Sequence, residues 1–194
     1  MNTAEKRAVI LHGKPSKEQF FDKNFPSISN YYWLPWMQKQ LAIIGIPTWT
    51  PEVPNGWIDD YQEWKKEFER YDIDSDTLII GHSCGSGFIV RWLSENPQFK
   101  TGRVILTAPW IDPDREHTTD FFDFKLNPKI IEQTKGITII NSSNDFESIQ
   151  KTCRILKDAI LGIKYIELEE QGHFYDENKM EFPELLDEVT GLNE

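Results

Sequence analysis

The sequence predicts an α/β fold: a parallel sheet of about six strands with helices on both faces, in one domain of 194 residues with its core at about 7–190. Three observations carry this. Short apolar runs alternate with amphipathic stretches along the chain, and such alternation gives parallel strands joined by right-handed helical crossovers. The motif Gly81-His82-Ser83-Cys84-Gly85 fits G-x-S-x-G and lies between the apolar run 78–80 and a helical pattern of Phe88, Ile89, Trp92 and Leu93. Four groups with chemical potential, at Gly13, Ser83, Asp145 and His173, each follow a predicted strand. In open parallel sheets, ligands gather at the C-terminal strand ends.

Taken in order, Ala8-Val9-Ile10-Leu11 reads as a buried strand, followed by His12-Gly13-Lys14. Residues 15–30, rich in Phe, Ser and Pro, read as a loop over the top of the molecule. Residues 31–44 have a helical pattern, with Trp33, Leu34, Met37, Leu41 and Ile44 on one face, Pro35 early, where it costs little, and Gly45 as the stop. Ile46-Pro47-Thr48-Trp49 reads as an edge strand, because Pro47 has no N–H to donate within a central ladder. In residues 57–71, Trp57, Tyr61, Trp64 and Phe68 follow helical spacing, with Lys and Glu opposite.

The helix after Ser83 should stop before Pro97. A strand is predicted at 103–107 and another at 137–140. Between them, 108–128 has no clear period and reads as a segment overhanging the site, for instance a lid. Its Trp110, Phe121 and Phe122 are candidates for lining an apolar pocket. Residues 127–135 read as a short helix with Asn127 as N-cap and Pro128 at its first position. A helix to about residue 160, a strand at 164–168 and a closing helix at 179–189 complete the pattern. No internal repeat or low-complexity tract interrupts it.

Composition narrows the function. Hydrophobic residues at 39% and aromatics at 13% argue for a packed globular protein. No apolar run reaches the roughly 20 residues of a membrane helix, and the N-terminal residues show no signal segment. The net charge of −11 repels phosphate backbones and anionic membranes, so neither nucleic acid nor a membrane is the expected partner. Cys84 and Cys153 have neither zinc nor C-x-x-C spacing and read as reduced thiols. The expected compartment is the cytoplasm.

The chemistry centres on Ser83. A strand turning sharply into a helix holds the middle residue strained, with its side chain clear of the backbone. The N–H of Cys84 and the helix N-terminus then favour a developing oxyanion. The competing reading is a glycine-rich turn that cradles phosphate, but the Walker lysine is missing and the glycines do not fit G-x-G-x-x-G. A serine hydroxyl needs a base. His12 lies at the first strand end, His82 should point away from Ser83 into the sheet, and His117 lies in the irregular segment. Only His173 both follows Ser83 and leaves a strand end. Asp145 is the favoured orienting acid; it could also cap the following helix, and Asp112 and Asp114 compete for the role. A second oxyanion donor is expected from a backbone N–H near Gly13 or Lys14, the Lys14 side chain being read as solvated. Cys84 is a poor rival nucleophile because it turns into the helix.

Ile79-Ile80-Gly81-His82-Ser83-Cys84-Gly85, Asn141-Ser142-Ser143-Asn144-Asp145 and Gly172-His173-Phe174 together resemble the small serine hydrolases related to retinoblastoma-binding protein 9 and the bacterial YdeN-like proteins. The Trp-rich stretches at 33–36 and 57–64 share the resemblance, which covers about residues 7–190. It implies a compact α/β-hydrolase without a large cap domain, strand order 2-1-3-4-5-6, a Ser83–Asp145–His173 triad, and no metal or organic cofactor. Asn144 and Phe146 depart from the pattern, where Asp and Pro are expected, and the first loop is longer than a minimal one. The expected activity is hydrolysis of small acyl esters, with amides or thioesters as variants of the same chemistry. The alternatives are a non-catalytic binding protein on this fold, acting through a protein partner, and an acyltransferase.

Overall fold

The computed structural model describes residues 5–117, 119–175 and 179–191. Residues 1–4, part of the N-terminal stretch expected to show no signal segment, lie outside these. Six parallel strands form one sheet: β1 (Arg7–Leu11), β2 (Thr48–Trp49), β3 (Thr77–His82), β4 (Val104–Thr107), β5 (Ile137–Ser142) and β6 (Lys164–Leu168). Their order is β2-β1-β3-β4-β5-β6, as the resemblance implies. Strands β3, β4 and β5 are buried along their whole length, which is why they read as continuous apolar runs. The edge strands differ: β2 has only two residues, after Pro47, and β6 is half exposed.

Side-chain alternation along β3 assigns the two faces. Gly81 faces α4 (Cys84–Glu95): a Cβ there would lie 2.8 Å from the Ser86 backbone and 2.6 Å from Ile89. On that face α3 (Tyr61–Phe68) packs through Trp64 and Phe68 against Phe88, with Phe68 also meeting Trp92. His82 points to the opposite face. There its ring meets Trp33, at the entry to α2 (Leu34–Ile43), and Trp33 meets Phe182, at the entry to α6 (Pro183–Thr190). The remaining long helix, α5 (Glu147–Ala159), follows β5.

Three elements depart from expectation. The loop at 15–30 contains a helix, α1 (Lys17–Phe21), started by a capping box in which Ser16 and Gln19 exchange side-chain and backbone hydrogen bonds. The helix expected at 127–135 is a 3₁₀ turn at Ile130–Gln133, and Asn127 accepts from the Lys129 N–H ahead of it. The segment 108–128 does not overhang the site with its aromatic residues. Phe121 and Phe122 sit in a 3₁₀ turn, 2% and 6% exposed, with Phe121 against Trp64 and Tyr61. The cause lies on α4. Arg91 donates to the carbonyls of Asp120 and Phe121, and its guanidinium stacks 3.6 Å over Tyr61. Glu95 pairs with the same guanidinium at 3.0 Å, so the buried cation is fully partnered, and its bonds to the two carbonyls hold the turn that carries the rings against α4.

Gly85 is the tightest approach in the elbow. A Cβ there would meet the Leu11 carbonyl oxygen at 2.8 Å and collide with the His12 carbonyl. Both contacts are backbone, so no side chain can swing aside. Gly85→Ala is expected to lower the unfolding free energy by about 3 kcal/mol, read as a drop in urea midpoint at constant slope.

Candidate active site

Ser83 stands between β3 and α4 at φ 52°, ψ −118°, a conformation that costs energy for any residue with a Cβ. Its backbone is pinned on both sides: its N–H donates to the Thr107 carbonyl at 3.0 Å, and its own carbonyl accepts from Gly87 and Trp110. The strain is therefore held by the sheet and the helix and not by the serine itself.

Three side chains meet in series. His173 Nε2 lies 2.9 Å from Ser83 Oγ, and His173 Nδ1 lies 2.8 and 3.1 Å from the two Asp145 carboxylate oxygens. The Asp145 side chain is buried, and its Oδ1 also accepts from the Phe146 N–H at 2.7 Å. Asn144, one of the departures from the family pattern, braces this geometry. Its Oδ1 accepts from the Ser142 hydroxyl and the Gly172 N–H, both at 2.8 Å, tying the loop after β5 to the loop carrying His173. Of the competing acids, Asp112 is taken by the N–H groups of Glu116 and His117, and Asp114 pairs with Lys151. Neither bonds to His173.

Two other histidines, given no positioning role from sequence, hold the loops around Ser83. His82 donates from Nε2 to the His173 carbonyl at 2.9 Å. Burial, aided by the nearby His173, pushes its pKa down to about 3, so it stays neutral and keeps its shape. His12 is wholly buried. The Val53 N–H donates to its Nε2 at 3.0 Å, which fixes the proton on Nδ1, and Nδ1–H then donates to the Gly13 carbonyl at 2.7 Å. Burial also lowers the pKa of His12. Only the partners, 41 and 91 residues away in the chain, reveal these roles.

The two lowered pKa values have a consequence for stability. Below pH 6.5 a histidine in the unfolded chain takes up a proton that folded His82 does not, and folded His12 takes it up less readily than the unfolded chain. Stability is therefore fully present above about 6.5 and falls as pH drops toward the folded values. Between pH 6.5 and 5 the expected loss from His82 alone is on the order of 1 kcal/mol per pH unit, and His12 adds to it in the same direction. Urea midpoints across that range would measure it, and His82→Gln should flatten the slope.

Gly13 approaches Ser83 closely: a Cβ on it would sit 3.2 Å from the serine Cβ. Cys84 opens α4, where the first helical N–H groups have no partner within the helix. Its thiol is pushed up to about 12 by burial, which suits an inert side chain. The Lys14 ammonium is not solvated as expected but pairs with Asp59 at 2.6 Å, and Asp59 also meets His117 Nδ1 at 2.9 Å.

A cavity of about 330 Å³ opens beside Ser83, walled by Gly13, Ser16, Gln19, Ile28, Tyr32 and Leu34. This corrects the expected pocket. Phe121 and Phe122 are in the core, and Trp110 packs on Phe122 and His117 instead of on this cavity. The wall comes from α1 and the residues leading into α2. The Ser16-x-x-Gln19 spacing is a capping-box signal that could have marked the segment as structured instead of as a loop, but nothing in it marks the segment as facing Ser83.

The sheet order and the strand-end placement of the site define an α/β-hydrolase fold. The sequence matches the serine hydrolase family over residues 27–189, and the chain belongs to that family. Among solved structures it is similar to the ydeN gene product from B. subtilis, with 23% identity over 96% of this chain and 97% of that one, at TM-score 0.77. It is also similar to Est1E from Butyrivibrio proteoclasticus (13% identity, 99% and 88% covered, TM-score 0.60). A structure of the metagenome-derived lipolytic enzymes LipS and LipT gives 12% identity, 97% and 93% covered, and TM-score 0.65. At these identities the likeness is one of fold. No curated protein matches the sequence. The family match begins at residue 27, after β1, Gly13 and Lys14.

Proposed function

We propose that this protein is a carboxylesterase-like serine hydrolase that cleaves small acyl esters through an acyl-enzyme. The observation that carries the reading is the continuous hydrogen-bonded series from Ser83 Oγ through both His173 nitrogens to the buried Asp145 carboxylate. Ser83 Oγ attacks the acyl carbon while His173 Nε2 takes its proton. Asp145 holds Nδ1–H and stabilises the imidazolium. The N–H of Cys84, with one from Gly13 or Lys14, receives the negative oxygen of the tetrahedral intermediate. His173 returns its proton to the departing alcohol, and water, deprotonated by the same nitrogen, releases the acid.

A small-molecule acyl substrate suits the cavity beside Ser83, and two buried reduced thiols suit the cytoplasm. Intact mass after incubation with a fluorophosphonate tests the reading. One phosphonyl adduct is expected on the wild type and none on Ser83→Ala. An unmodified, folded wild type would remove esterase chemistry as the leading reading.

A further inference from the structure

An outer groove adjoins the cavity beside Ser83 and shares Gln19, Tyr32, His173 and Tyr175 with it. Five aromatic rings run along this groove in unbroken contact. Phe25 meets Tyr31 at 4.9 Å between centroids, Tyr31 meets Tyr32 at 4.2 Å, Tyr32 meets Tyr175 at 6.1 Å, and Tyr175 meets Phe146 at 6.3 Å. Phe146 and Tyr175 also flank the His173 ring, at 5.3 and 5.0 Å. These two are 56% and 43% exposed, and unlike an isolated surface ring they stand together on either side of His173 with faces open to a ligand. Tyr32, which links the groove to the cavity, is held at φ 53°, where a bulky residue is strained. The only nearby ammonium among the groove residues, Lys179, is engaged by Gln171 and Glu184, so the groove shows no pull toward an anion.

The proposed chemistry orients the substrate across these two spaces. The general acid must deliver its proton to the leaving oxygen, so the leaving group lies beside His173, from which Tyr175 leads out of the cavity into the aromatic groove. The acyl group then occupies the cavity beside Gly13, Ile28 and Leu34. Building on the hydrolase reading above, we infer that the preferred substrates are esters of arylmethyl alcohols, whose ring packs on Phe146 and Tyr175 as the alcohol departs. Exposed ring faces and edges select another ring over a saturated one of the same size, because the quadrupoles of two aromatics complement each other.

Benzyl butyrate and cyclohexylmethyl butyrate match in ring size, and comparing their ratio between variants removes their small intrinsic differences in shape and leaving-group acidity. The expected ratio of kcat/KM, benzyl over cyclohexylmethyl, is about three to ten. Taking the ratio within each protein cancels any shared loss. Phe146→Leu with Tyr175→Leu should bring it close to one, whereas Phe146→Tyr should keep it. A wild-type ratio near one, or an unchanged ratio in the double variant, would overturn the inference while leaving the hydrolase intact. Absence of both ester turnover and Ser83 labelling would overturn the hydrolase reading itself, and this inference with it.

Discussion

Ser83→Ala is expected to lower kcat for ester hydrolysis by about five to six orders of magnitude, down to what oriented binding and the oxyanion donors supply without a nucleophile. The fold should survive. Alanine keeps the Cβ and the positive φ of 52°, so the strain at the elbow is unchanged, and only the hydrogen bond to His173 is lost. Ser83→Gly makes the complementary case. Glycine adopts that φ freely, so the variant should be inactive and yet more stable, by about 1 kcal/mol. Turnover of a simple butyrate ester and urea unfolding of the same samples measure both quantities. Retained hydrolysis in Ser83→Ala would show that another group does the chemistry. The buried, pKa-raised Cys84 is poorly suited to be that group.

Asp145→Asn is expected to lower kcat by about four orders of magnitude, with a stability change of only about 1–2 kcal/mol. The carboxylate accepts from His173 Nδ1 and thereby leaves Nε2 bare, facing Ser83 Oγ. An asparagine amide can turn its NH₂ toward Nδ1, which puts the imidazole proton on Nε2, where it cannot take the serine proton. The phosphonylation rate of Ser83 should fall in parallel with kcat. Asp112→Asn is the control for acid identity. That carboxylate holds two N–H groups of its own turn, so its loss should affect local stability and leave turnover within a few-fold. Equal losses in the two variants would reopen the choice between these acids.

Ser83 and Asp145 of the proposed triad were picked out by local signals. The glycines around Ser83 answer steric demands within a few residues, and apolar runs mark the strands before Ser83 and Asp145. His173 needed more: it was found by its place after the last strand and by the order of the three. Alternation of strand and helix determined the fold class for the same reason, since periodicity is set by which face of each element leaves water. The strand order came from the resemblance and not from the pattern.

Tertiary structure decided where aromatic rings went. Phe121 and Phe122 were among the pocket candidates, whereas Phe146 and Tyr175 carried no pocket signal in the sequence. The first pair lies in the core, packed on Tyr61, Trp64 and Trp110 in a turn that Arg91 holds through its carbonyls, and the second pair stands at the mouth of the site. An aromatic side chain records that it gains by burial, not against which surface. The tautomer of His12 and the brace from His82 were hidden likewise, since each depends on a backbone group that only folding brings near. The chain by itself determined which groups stand at the strand ends. Folding decided which of them touch and what walls the space beside Ser83, because contacts between residues tens of positions apart leave no periodic mark in the sequence.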